Sequence, residues 1–248
     1  MGNRSMPKGR TMRWTMAALA ALALAGCGQK GNPVAPVPQI PKVLVLADGG
    51  SQDSVAQILR DAGFAVTMGG LYWTYTGAGL ASHDAVVFLC GTDYTHVVAD
   101  SVQQKLVDFV AAGGGLLGTE WMIYNLKYNE RMDRIAGILP VDDRTSESYM
   151  IESYSLAAPL HHVSAGLPDS FATTGAWSFS HTVASTDPIK QAVTIYRGST
   201  SGDAVVVGVH GAGRTAHWNS AMQYAGADIW SPNVRRVLVN LVDYVRRR

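Results

Sequence analysis

The residues whose types could carry chemistry are Glu120, Asp93 and His217, which can hold or move a proton. Asp48 and Asn219 are further polar contacts, and Tyr94, Trp121 and Trp218 are aromatic ones. Each lies at the end of, or just beyond, an apolar run that reads as a β-strand. In open α/β sheets ligands sit beyond the carboxyl ends of strands, so these positions mark a candidate mouth. Glu120 follows Gly118-Thr119 at a strand-to-helix elbow. There the field of a helix N-terminus favours its ionised form, while apolar neighbours push its pKa up. It suits a general base or a ligand acceptor; alternatively it caps the following turn or pairs with Arg131. His217 in a strand reads either as a proton carrier or as a satisfied structural histidine. Hydrolysis by two carboxylates needs a separation of about 5 Å for retention or about 6.5–9.5 Å for inversion. Glu120 with Asp93 is the pair that the strand order would bring together. Aromatic faces beside acids and amides suit sugar rings, although the same rings could simply close the core under long loops.

Other motifs carry less. Adjacent histidines such as His161-His162 rarely share one metal ion, and no metal site is expected. Cys90 ends a buried run with no basic neighbour in sequence to activate it. Gly198-Ser199-Thr200-Ser201-Gly202 has threonine at the centre, so the Gly-x-Ser-x-Gly elbow fails. No Gly-x-Gly-x-x-Gly or Walker pattern is complete, so no nucleotide and no other cofactor is expected.

The elements that must position these residues read as follows. Lys42–Ala47 and Ala85–Leu89 are continuous apolar runs, the mark of strands buried on both faces. Phe64–Met68 and Gly115–Thr119 are two further strands. Between them, Val55, Ile58, Leu59 and Ala62 share one helical face ending at Gly63, and Val102, Leu106, Phe109 and Val110 share another ending at Gly113. Strands alternating with amphipathic helices predict right-handed βαβ units and a mostly parallel sheet sandwiched by helices. The second half changes character. Residues 148–156, 172–176, 191–197, 204–209 and 214–219 all read as strands, predicting a mixed or antiparallel C-terminal extension that includes a hairpin turning at His210-Gly211-Ala212. A final helix opens at Ser231-Pro232 and carries an apolar stripe from Val234 to Val245.

Three segments together resemble the class I glutamine-amidotransferase-like superfamily, and within it the ThuA-like (trehalose-utilisation) branch. They are Val107–Glu120, similar to that branch's helix, glycine turn and elbow strand; His161–Phe171, similar to its His-Pro-Ile-x-x-Gly-Leu-Pro segment; and Gly213-Arg214 before a strand. The resemblance covers about residues 42–248 and implies a flavodoxin-like fold. It also implies that the chain is not a glutaminase, because Glu120 stands where a true amidotransferase carries its elbow cysteine, and the His-Pro-Glu segment has no match around His217. The branch supplies a sugar-related context. The expected function is binding of a carbohydrate or similar polar small molecule, with acid/base hydrolysis or isomerisation as the chemistry open to it. The alternative is a non-catalytic envelope protein-interaction module on a degenerate amidotransferase-like fold.

Residues 1–26 read as a secretory signal: Arg4, Lys8, Arg10 and Arg13, then an apolar run from Met16 to Ala25. That run is too short to span a hydrocarbon core needing about twenty residues. It closes on Leu24-Ala25-Gly26-Cys27, which resembles a bacterial lipobox with Cys27 as the lipidated residue. Residues 27–41, with prolines at 33, 36, 38 and 41, read as a tether before a single domain at 42–248. The expected location is the bacterial cell envelope, anchored in a membrane through Cys27, with Gly28 favouring the outer membrane. Removing the four leader cations from the 20 basic residues leaves 16 against 19 acidic ones, so the body is mildly acidic and nucleic acid is not an expected partner.

Overall fold

The computed structural model describes residues 39–50, 52–91, 93, 95–120, 122–123, 132–175 and 177–246. For residues 136 and 143–148 the description extends to the backbone. Residues 39–248 form one compact unit. Its eleven strands are β1 (Lys42–Ala47), β2 (Ala65–Leu71), β3 (Ala85–Leu89), β4 (Gly115–Thr119), β5 (Val141–Met150), β6 (Ser153–Leu156), β7 (Ser170–Ala172), β8 (Trp177–Ala184), β9 (Val193–Gly198), β10 (Gly202–His210) and β11 (Gly213–Trp218). The helices are α1 (Gln52–Asp61), α2 (Asp100–Ala111), the single turn α3 (Asp133–Ala136) and α4 (Pro232–Val245).

Strand order in the main path is β2-β1-β3-β4-β11-β10-β9-β6-β7. The first five are parallel and the following pairs antiparallel. This is the flavodoxin-like α/β sandwich expected from the alternating pattern, with the antiparallel extension built on β11. Along β1 the side chains alternate between two cores. Val43 and Val45 join the cluster containing α1 and α4, while Leu44 and Leu46 join the one containing α2. A strand covered by helices on both faces has to be apolar at every position, which is why Lys42–Ala47 reads as an unbroken run. Gly63 and Gly113 close α1 and α2 in the left-handed conformation, at φ 91° and 99°.

The sequence misplaces the middle of the extension. The run expected over 148–156 is two strands, β5 and β6, broken at Ile151-Glu152. The Glu152 side chain turns inward there, and the β9–β10 turn wraps its carboxylate: Oε1 accepts from the backbone N–H groups of Ser153 and Thr200 and from the Ser199 hydroxyl, and Oε2 from the Ser201 N–H. The Gly198–Gly202 segment is therefore a carboxylate cradle. The strand expected at 172–176 is replaced by β7 ending at Ala172 and β8 starting at Trp177. The loop between them is pinned by Asp228, which accepts from the N–H groups of Thr174 and Gly175 at 2.8 Å and from Trp177 Nε1 at 2.9 Å.

Candidate functional site

Because β1, β3, β4 and β11 are parallel, their carboxyl ends share one edge of the sheet, and Asp48, Asp93, Glu120, Trp218 and Asn219 all lie along it. Glu120 sits directly beyond β4, where its carbonyl accepts from the N–H of Ile123 at 3.2 Å and so opens the elbow turn. Its side chain has no solvent exposure. Ser178 on β8 donates its hydroxyl to Glu120 Oε1 at 2.5 Å, and Ser180 reaches the Glu120 carbonyl at 3.3 Å. Thr119 faces the other way and ties β4 to β3, accepting from the Cys90 N–H at 2.9 Å.

The described neighbours of Glu120 form a buried polar layer. Asn219 holds β8 in place: its amide donates to the Ser180 carbonyl at 3.0 Å, and its own carbonyl accepts from the Ser180 N–H at 2.9 Å. Trp218 is fully buried, edge-on to Tyr154 at 6.3 Å and tilted against Trp177 at 6.4 Å, so it packs core rather than walling a ligand. Burial pushes the Tyr154 phenol up, and the charges of Glu152 and Glu120 push it the same way. His217 points to the opposite face from Ala216 and Trp218 and is fully buried. Neither ring nitrogen has a hydrogen-bond partner among the described residues. Burial alone pushes its pKa down to about 3, so the imidazole is neutral at physiological pH.

Asp93 is engaged in its own loop. Its Oδ1 accepts from the N–H groups of Thr95 and His96 at 2.9 and 2.8 Å, and Oδ2 takes a 2.6 Å bond from His96 Nδ1. Partial burial raises its pKa, but the bonds from His96 and Thr95 outweigh that and hold it below the usual carboxylate range. Trp73 stacks on His96 at 4.4 Å, and Tyr72 is buried against Phe88. Asp48 is a hub: Oδ2 accepts from the N–H groups of Gly91 and Asp93 at 2.7 and 3.0 Å, while Oδ1 takes Gln223 Nε2 at 3.3 Å and the Tyr224 hydroxyl at 3.4 Å.

The sheet thus collects the expected residues toward one edge. Among the described residues no hydrogen bond or ion pair links Glu120 to Asp93 or His217. Among the described residues, the edge offers acceptors on a buried polar floor. Tyr94, Trp121, Cys27, Tyr124, Tyr128 and Arg131 lie outside the described residues. No group of three or more His, Cys, Asp or Glu that could hold a metal ion occurs among the described residues. His162 instead pairs with Asp243 at 2.7 Å, and His161 accepts from the Val163 N–H. Sequence reasoning missed Ser178, Gln223 and Tyr224. Ser178 alternates with apolar residues in Trp177-Ser178-Phe179-Ser180, a period-two signal that could have found β8, but nothing in the sequence pairs it with Glu120.

No family model and no curated protein matches the chain. Solved structures do. Two proteins of Salmonella typhimurium, both named as cytoplasmic, superpose with TM-scores of 0.64 and 0.63 at 17% and 16% identity; 84% and 83% of this chain covers the whole of each. A ThuA-like protein of Bacteroides uniformis superposes with a TM-score of 0.60 at 15% identity, over 85% of this chain and 93% of its own. At such identities the likeness establishes a shared fold alone, the class I amidotransferase-like α/β sandwich. It also corrects the location expected from the leader: cytoplasmic proteins of the same fold stand against a lipid-anchored envelope location.

Proposed function

We propose that the chain is a binding domain of ThuA-like fold that takes a carbohydrate or similar polar small molecule at the carboxyl edge of its sheet, with Glu120 as the acceptor on the floor of the site. The observation that carries this reading is the buried Glu120 carboxylate, fixed by Ser178 beyond the elbow strand. A buried carboxyl group needs hydrogen-bond donors around it, and the hydroxyls of a polar ligand are donors of that kind. The resemblance of Val107–Glu120 and His161–Phe171 to the ThuA-like branch supports the sugar context. Acid/base turnover has less support, because His217 is neutral and buried and Asp93 is consumed by its own loop. The test is a thermal-shift screen of residues 42–248 against mono- and oligosaccharides, with Glu120→Gln as control. Stabilisation by one sugar class that disappears in the variant is the expected result, and unchanged affinity in Glu120→Gln removes Glu120 from the site.

A second reading, a protein-interaction module, is favoured by one feature. Tyr149, Met150 and Ile151 are 76%, 38% and 56% exposed at the tip of β5, a strand that among the described residues pairs with β8 alone. An apolar run on an unpaired strand edge is a surface that other chains can dock on.

A further inference from the structure

The crevice between the ends of β1 and β3 is where the strand order reverses direction, the position at which open α/β sheets bind ligands. Here it is walled by glycine and filled by the protein's own ring. Gly49 and Gly50 follow β1 in the left-handed region, at φ 117° and 72°, and Gly91 follows β3. A methyl group on Gly50 would lie 2.7 Å from Tyr224 Cε1, and one on Gly91 would lie 2.7 Å from Tyr224 Cδ2 and 2.4 Å from Gln223 Nε2. The phenol therefore rests on bare backbone at both strand ends, with its hydroxyl 3.4 Å from Asp48 Oδ1. Yet the residue remains 39% exposed. It sits in the one-turn segment Met222–Tyr224, held by the bond from the Tyr224 N–H to the Ala221 carbonyl at 2.9 Å.

We propose that this slot is a ring-binding subsite for a hydroxyl-bearing six-membered ring, with Asp48 as the hydroxyl acceptor, and that Tyr224 is its displaceable resident. The inference rests on the proposed reading that the sheet edge takes a polar small molecule, and it adds where the ring of that molecule lies. Three features support displacement over a purely structural role. The glycines give up side-chain packing at two strand ends and let a ring lie directly against their backbone. The bonds joining Gln223 and Tyr224 to Asp48 are long, whereas those joining Gly91 and Asp93 to it are short, so the slot keeps its shape when the ring leaves. The exposed side of the ring gives a path out. A ligand that competes with Tyr224 has its apparent affinity reduced by the fraction of molecules in which the slot is open, and removing the ring removes that penalty.

The test is isothermal titration of residues 42–248 with two probes, 4-methylphenol and methyl α-glucoside, on the wild type, Tyr224→Ala, and the double variant Tyr224→Ala/Gly91→Ala. The first probe reproduces the resident ring and the second carries the carbohydrate chemistry. Tyr224→Ala is expected to bind at least one probe about tenfold more tightly than the wild type, and the added methyl group at Gly91 to abolish that gain. Binding of 4-methylphenol alone supports the slot and counts against the carbohydrate reading. Binding of the glucoside supports both. Affinity for both probes unchanged or weaker in a folded Tyr224→Ala overturns the proposal. If Tyr224→Ala does not fold, Tyr224→Phe keeps the ring and loses its hydroxyl, with the bond to Asp48. A roughly threefold gain in affinity in that variant supports displacement, and no gain overturns it.

Discussion

Glu120 and Ser178 stand 58 residues apart in the chain and are joined at 2.5 Å, the hydroxyl of β8 donating to the carboxylate beyond β4. This bond links the parallel half of the sheet to the antiparallel extension at the level of the candidate site. Neither strand is the other's neighbour in the sheet order; at this level β8 pairs with the chain running on from β11, through the Phe179–Ser220 bridge, so the bond reaches across that segment.

Ser178→Ala removes that donor and leaves the Glu120 oxygen buried. Leaving a buried polar group without its donor costs about 1–3 kcal/mol, so a loss of stability of that size is expected from urea denaturation of residues 42–248. Ser178→Thr keeps the hydroxyl and should retain most of it. A loss under about 0.5 kcal/mol in Ser178→Ala would mean that the carboxylate is held by other groups.

His217 gives a pH dependence whose sign follows from burial. Its folded pKa is lowered to about 3, against about 6.5 in the unfolded chain. Below pH 6.5 the unfolded state takes a proton that the native state does not, so stability falls with pH through the window from about 6.5 to about 3 and levels off beneath it. The slope is about 1.4 kcal/mol per pH unit, or about 3 kcal/mol between pH 7 and pH 4. Comparing wild type with His217→Leu by denaturation across that range isolates the histidine, since acidic groups contribute to both proteins. Parallel curves would show that the imidazole is protonated in the fold, through a partner such as buried water.

The parallel half of this fold was legible in the sequence because burial on both faces forces the unbroken apolar runs at Lys42–Ala47 and Ala85–Leu89, and because Gly63 and Gly113 mark where the helices must stop. The extension was not. Its strands are shaped by long-range polar contacts: Glu152 breaks β5 from β6 because a turn almost 50 residues later supplies its donors, and nothing local announces that. The site was legible as an address and not as an arrangement. Strand ends placed Asp48, Asp93, Glu120 and Asn219 on one edge, but the sequence could not say that Asp93 would turn into its own loop, that Asn219 would be spent on β8, or that Tyr224 would cover Gly50 and Gly91.

Asp228 predicts a second acid-sensitive contact. Burial raises its pKa, but the bonds from Thr174, Gly175 and Trp177 outweigh this and hold it below the usual carboxylate range. A carboxylate with a depressed folded pKa contributes stability that is present above its unfolded value, near 3.9, and lost as pH falls through the folded one. Asp228→Asn should therefore lower stability at pH 7, with the gap to wild type closing below pH 4. The Trp177 indole, whose N–H bonds to Asp228 at 2.9 Å, offers a local readout in its NMR N–H resonance. A gap that stays constant down to pH 3 would contradict the assignment.

Glu152 predicts that charge, rather than shape, holds the β9–β10 turn. Its two oxygens accept from three backbone N–H groups and one hydroxyl. In Glu152→Gln the side chain keeps its volume but presents an amide N–H₂ to donors that have nothing to give it but another N–H. One oxygen then loses its bonds, and the remaining ones lose their charge assistance. With the amide oxygen on the Oε1 side the Ser201 N–H alone is left facing the amide N–H₂, and the expected cost is about 1–3 kcal/mol. Hydrogen exchange should show faster opening at Ser199, Thr200 and Ser201 while β1, β3 and β4 keep their protection, since those strands share no bond with the turn. Uniform loss of protection across the sheet would mean that Glu152 supports the whole fold rather than the extension alone.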